Sequence, residues 1–334
     1  MKKLLVLAAL VFAGSRPALA ETQQMRIATL APTGSPWMVL LEKAAVEISE
    51  KTEKRITIKY YAGGQQGDER DFIRKMKIGQ IDGAAVTSVG LSLIDTSILV
   101  LQLPMLFTTQ EEVDHVSGKM WPYFQKKFEA KGFRLGERGE LGWIHFFSNA
   151  KVTSVAELRK QKLWMWGDDS LGTTLADKLQ IRGVPLSLPE VDAALTSGKI
   201  NACFSTPLGA IALQWYSKVK YMSATPVVFA IGATVFSLDS VKKVSKEDRK
   251  IIDAIAKRSQ KKARATIRKA NEDARKTILR KGITLVEVPK TMIDELTAAG
   301  ESVKAELTGK LFTKEELAMV IKYRDEYRAD HPVK

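Results

Sequence analysis

The chain has 334 residues, 52 Lys and Arg against 38 Asp and Glu, a formal charge of +14 and one cysteine. A lone cysteine excludes an intramolecular disulfide framework, and its apolar surroundings mark Cys203 as a small core residue. Three histidines without His-Glu-x-x-His or Cys/His spacing leave no metal or hydrolase motif.

Residues 1–20 read as a secretory signal: basic Met1-Lys2-Lys3, an apolar run from Leu4 to Phe12, and the small-residue end Ala18-Leu19-Ala20. The run is too short to span a bilayer, and no later segment reaches the length needed either. Cleavage after Ala20 predicts a mature periplasmic protein with room for two compact domains.

Met25 to Leu30 predicts the first strand. Pro36 opens a helix to about Glu50 with Met38, Leu41, Ala45 and Ile48 on one face, and Ile56 to Tyr61 is the second strand. Gly63-Gly64-Gln65-Gln66-Gly67 lacks the spacing of a phosphate-cradling loop. It predicts a tight turn before a helix with Phe72, Ile73, Met76 and Ile78 apolar. Glu111 to Ala130 predicts a helix interrupted around Gly118 and Pro122, and Trp143 to Phe147 a strand crossing between lobes. Val155 to Lys160 is a short helix, and Lys162 to Trp166 a buried strand. Asp168-Asp169 sits at a helix start, where capping accounts for paired acids. Val184 to Pro189 is extended, Glu190 to Thr196 helical, and Thr225 to Ser237 a return strand. After Ser245 the chain is helical, broken by a strand from Ile283 to Val288.

One pattern repeats. Gly79, Ile81, Asp82 and Thr87 match Gly198, Ile200, Asn201 and Thr206 at a constant offset. A helix, a glycine C-cap and a strand ending in threonine thus occur twice. The simplest architecture is α/β of the periplasmic-binding-protein type: two α/β lobes around a central cleft, several crossings and C-terminal helices. Residues 24–147 with about 230–275 make lobe I, and 148–229 with about 276–334 make lobe II. Basic residues cluster in one helical region: Lys257, Arg258, Lys261, Lys262, Arg264, Arg268 and Lys269. Without interleaved aromatics they do not make a nucleic-acid surface. They read as a solvated face, or as a contact for anionic headgroups or a membrane partner.

Gly67-Asp68-Glu69-Arg70, Gly79-Gln80-Ile81-Asp82-Gly83, Pro104-Met105-Leu106-Phe107, Ser154 to Leu158 with Lys162-Leu163, and Glu190-Val191 with Ala194-Leu195 and Gly198 follow one another in order. Together they resemble the extracytoplasmic solute-binding proteins of TRAP (tripartite ATP-independent periplasmic) transporters, over most of the chain from Met25 to about Arg324. The resemblance implies a small-molecule ligand, a TRAP membrane permease as partner, no cofactor and no enzyme activity. It also implies that the arginine that clamps a carboxylate falls at Trp164. A second arginine falls at Ile144, an aromatic contact at Leu188, an acidic contact at Thr87, an amide contact near Ser205-Thr206, and the first strand's contact at Leu30. A fork supplying two charge-assisted hydrogen bonds is thereby replaced by an indole with one N–H. The expectation is a neutral or apolar ligand held by Trp164, Trp166, Ile144, Leu188, Leu30 and Phe204, with Thr87, Ser88 and Thr206 as polar anchors. Trp37 is a further contact or a core residue, and Lys162 or Arg70 a replacement cation. Some relatives lacking the arginine pair with a periplasmic helical-repeat protein, which the resemblance keeps as a second partner.

Overall fold

The computed structural model describes residues 22–332; the expected signal segment lies outside them. The strands are β1 (Gln23–Thr29), β2 (Ile56–Tyr61), β3 (Gly83–Thr87), β4 (Phe133–Ser148), β5 (Leu163–Trp166), β6 (Gly183–Leu186), β7 (Ala202–Ser205), β8 (Tyr221–Ser223), β9 (Val228–Ser237) and β10 (Thr284–Val286). Their order is β2-β1-β3-β9-β4-β7-β5-β6, with β8 and β10 off β4. The first three pair in parallel, and β9 returns antiparallel to β3 and β4. Strand β4 is longer than predicted and serves both lobes. Its residues 133–144 pair with β9, and residues 145–148 pair with β7.

The repeat is structural. Gly79 and Gly198 both adopt the left-handed conformation, with φ of 72° and 70°, that a glycine C-cap supplies. Asp82 then accepts from the Arg26 backbone N–H at 2.8 Å, and Asn201 from the Lys162 N–H at 2.8 Å. Each thereby fastens its unit to the neighbouring strand, β1 or β5. Thr87 and Thr206 both cap the helix that follows, Ser88–Ser92 and Pro207–Ala212.

Several expectations are corrected. The helix Gln110–Ala130 runs through Gly118 and Pro122, because Met120, Trp121, Phe124 and Phe128 bury one continuous face in the lobe I core. Ile78 is exposed at the helix end rather than part of the apolar face. The C-terminal helix Lys314–Asp330 packs on lobe I, not lobe II. Val320 and Phe312 join the lobe I core, buried Glu316 accepts from Lys127, and Arg328 donates to Glu112. The helix Lys246–Arg280 runs unbroken between the lobes. Near its start Asp248 holds Arg55, and near its end Ile278 enters the lobe II core. Between them Asn271 donates to Leu141 O and accepts from the Leu208 N–H. Its Arg264 and Arg268 do not join a solvated face: both turn in towards Asp114, and Arg268 also donates to Glu140, which is fully buried.

Candidate functional site

Where the strand ends of the two lobes meet, a cavity of about 240 Å³ opens. Eight of the ten predicted contacts line it: Thr87, Ser88, Ile144, Trp164, Trp166, Leu188, Phe204 and Thr206. Leu30 and Trp37 do not. They line a separate cavity of about 530 Å³ between the lobe I sheet and the helices Pro36–Lys51 and Lys246–Arg280. Its lining includes short residues on both sides, Ala44, Ala256 and Ala263 from the helices and Ala85 and Gly232 from the sheet.

The cleft wall combines core and contact. Trp164 is only 6 % exposed and packs edge-on against Trp215 at 5.3 Å between ring centroids. Its Nε1–H donates to Leu186 O at 3.0 Å, so the indole turns its apolar surface to the cavity. Trp215, which the sequence reading missed, also lines the space. Trp166 reaches across the cleft mouth instead, donating its Nε1–H to Asp68 Oδ2 at 3.0 Å. The Leu188 backbone N–H donates to the same oxygen at 3.1 Å. Arg70 pairs with Asp168 beside them. Asp68 and Arg70 stand on lobe I, and Trp166, Asp168 and Leu188 on lobe II. These contacts join the lobes directly.

Two of the three expected polar anchors spend their hydroxyl donors within the protein, and the third accepts a helix-capping bond. Thr87 donates its hydroxyl to Glu69 Oε2 at 2.9 Å and accepts from the Val89 N–H. Ser88 donates to Gln102 Oε1 at 3.1 Å, and Thr206 accepts from the Gly209 N–H at 2.9 Å. Glu69 organises this corner and was not expected. Its carboxyl is 1 % exposed and also accepts from the Thr87 and Gly90 N–H groups, at 2.7 and 2.6 Å. Burial pushes it up to about 7 despite those donors.

Among the described residues, no arginine, lysine or histidine lines the cleft cavity. Its one ionisable side chain is Asp169, which caps the helix Ser170–Lys178 by accepting from the Gly172 N–H at 2.9 Å. Its desolvated carboxyl is held above the usual range. The two possible replacement cations lie elsewhere: Arg70 on Asp168 at the mouth, and Lys162 Nζ donating to Gly198 O at 3.3 Å. His145 is buried and bonds Ser223 O at 2.8 Å through Nδ1. No cluster of three or more metal-ligating side chains occurs among the described residues.

The model of bacterial extracellular solute-binding protein, family 7, matches residues 27–310. The chain belongs to that family. As a family 7 member it is a solute-binding protein, not an enzyme, in agreement with the TRAP-type resemblance. A solute-binding protein of Chromohalobacter salexigens is 23 % identical over 278 residues, 80 % of each chain. The uncharacterized protein YiiZ of Salmonella typhimurium is 24 % identical over 222 residues, 64 % of this chain and 66 % of its own length. Among solved structures, the sugar acid binding protein DctPAm of Advenella mimigardefordensis, in complex with galactonate, superposes with a TM-score of 0.86 at 17 % identity. That match covers 92 % of this chain and 99 % of that one. No helix among the described residues is long and apolar enough to cross a membrane.

Proposed function

We propose that this family 7 protein closes its cleft on a small, uncharged, largely apolar solute and delivers it to a TRAP-type permease. The observation that carries the reading is the wall chemistry. The donors of Trp164, Trp166, Thr87 and Ser88 are all spent within the protein, no cation lines the space, and the one titratable group is an acid. A carboxylate such as the galactonate bound by the Advenella protein would enter with nothing to neutralise it. An unpaired buried ion costs several kcal/mol, so an acid is disfavoured by roughly a hundredfold or more. Size narrows the choice further. The cavity of about 240 Å³ lies below the range of about 300–1,000 Å³ usual for drug-sized ligands.

On the same reading the signal is removed after Ala20 and the mature protein works in the periplasm. Lobe I comprises 24–147, about 230–275 and the C-terminal helix, and lobe II comprises 148–229 and 276–312. Co-purification of membrane subunits from a detergent extract favours the permease as recipient. Recovery of a periplasmic helical-repeat protein in their place favours that alternative partner. The ligand class is tested by calorimetry with matched pairs, each a small apolar acid and its primary amide. The amide should bind at least a hundredfold more tightly. Preference for the acids would overturn the proposal and point to Arg70 swinging inward from Asp168.

A further inference from the structure

The cleft accounts for none of the charge on the helix Lys246–Arg280. It holds thirteen Lys and Arg against five Asp and Glu, a large part of the +14 of the chain. Between Asp253 and Glu272 it carries seven basic residues and no acidic one. Arg264 and Arg268 turn inward to Asp114 and Glu140. Arg258 is exposed but tied to Glu47, and exposed Lys269 to Asp273. Lys257, Lys261 and Lys262 are exposed and make no ion pair among the described residues. At 100° per residue these three, with Lys250, Lys269 and Lys276, fall within one stripe of less than half the helix circumference. The helix is about 52 Å long at 1.5 Å per residue. Beside it the helix Pro36–Lys51 exposes Val39 and Val46, 53 % and 58 % accessible, one above the other at a seven-residue spacing.

We propose that this outer face is a binding site for an anionic lipid surface. A compact acidic ligand needs convergent cations in a concavity, whereas these lysines are strung along a convex rod and suit an extended plane of negative charge. The two neighbouring valines add a shallow apolar contact of the kind that interfacial helices make. None of these lysines lines the cleft cavity. Each basic residue near an anionic leaflet contributes roughly fivefold in affinity, and the effect fades with salt.

The test is co-sedimentation of the purified protein with phosphatidylcholine vesicles, with and without a third of phosphatidylglycerol, at low and high salt. The protein should pellet only with the anionic vesicles and be released by salt. The triple variant Lys257→Glu, Lys261→Glu, Lys262→Glu should bind at least a hundredfold more weakly. A matched variant reversing the exposed lobe II lysines Lys151, Lys199 and Lys220 should stay within a few-fold of wild type. No pelleting with anionic vesicles overturns the proposal and leaves an acidic protein as the occupant. Equal loss in both triple variants overturns it too, since net charge rather than this face would then govern binding.

Discussion

Replacing Asp68 with serine should open the cleft without unfolding the protein. Asp68 Oδ1 accepts from the Glu69 N–H at 2.8 Å at the start of the helix Glu69–Lys77, a task a serine hydroxyl also performs. Its Oδ2 alone holds the Trp166 Nε1–H and the Leu188 N–H of the other lobe. A hydrogen bond to a charged acceptor contributes about 1.5–3 kcal/mol net. Two of them set an upper range of about 3–6 kcal/mol, and the half-buried carboxylate places the loss near ~3 kcal/mol, or roughly a hundredfold in the closing equilibrium. The Arg70–Asp168 pair that remains has a 70 % exposed arginine and adds little. Spin labels at exposed Lys77 and Asp177 report the lobe separation, and the buried Cys203 stays unlabelled. The wild type should show one short distance and Asp68→Ser a broad, longer one, with a unfolding midpoint close to wild type. Identical distance distributions would refute the idea that Asp68 holds the lobes together.

Three other outcomes follow from the same geometry. Glu69 has a folded-state value near 7 against an ordinary 4.5, so the native state keeps its proton longer than the unfolded chain. Its contribution is complete below pH 4.5 and is lost as pH rises to about 7, by up to ~3 kcal/mol. The stability of wild type relative to Glu69→Gln, measured by urea unfolding across that window, should therefore fall with rising pH; parallel curves would contradict it. Ala263→Leu, pointing three added carbons at the 530 Å³ cavity, should raise stability by about 2 kcal/mol, and a loss would mean the walls are closer than they stand. Trp164→Arg should cost about 3–5 kcal/mol through an uncompensated charge in the lobe II core, and added small carboxylates should recover part of its melting temperature. If acids leave the variant unchanged, position 164 does not face the ligand.

Much of the fold is legible because its signals are local. The glycine C-caps, the β-branched Ile56–Tyr61 strand and the duplicated segment at Gly79 and Gly198 each carry their reason within a few residues. What was misplaced depends on distant partners. Leu30 and Trp37 line the other cavity, where Trp37's own helix Pro36–Lys51 and the sequence-distant helix Lys246–Arg280 cover the lobe I sheet. Glu69 reads as an ordinary helical acid until β3 brings the Thr87 and Gly90 N–H groups onto it. Arg268 reads as solvated until Glu140 and Asp114 meet it from other elements. Thr87, Ser88 and Thr206 line the cleft cavity as strand register suggests, but the donation of the Thr87 and Ser88 hydroxyls to Glu69 and Gln102 depends on partners that register does not reveal.

The most direct measurement is native mass spectrometry of the protein purified from its own organism, followed by release and identification of whatever is bound. A small, uncharged, mainly apolar compound is the result expected from a cavity walled by Trp164, Trp166, Ile144, Leu188 and Phe204. A sugar acid or dicarboxylate held at one equivalent would contradict the account.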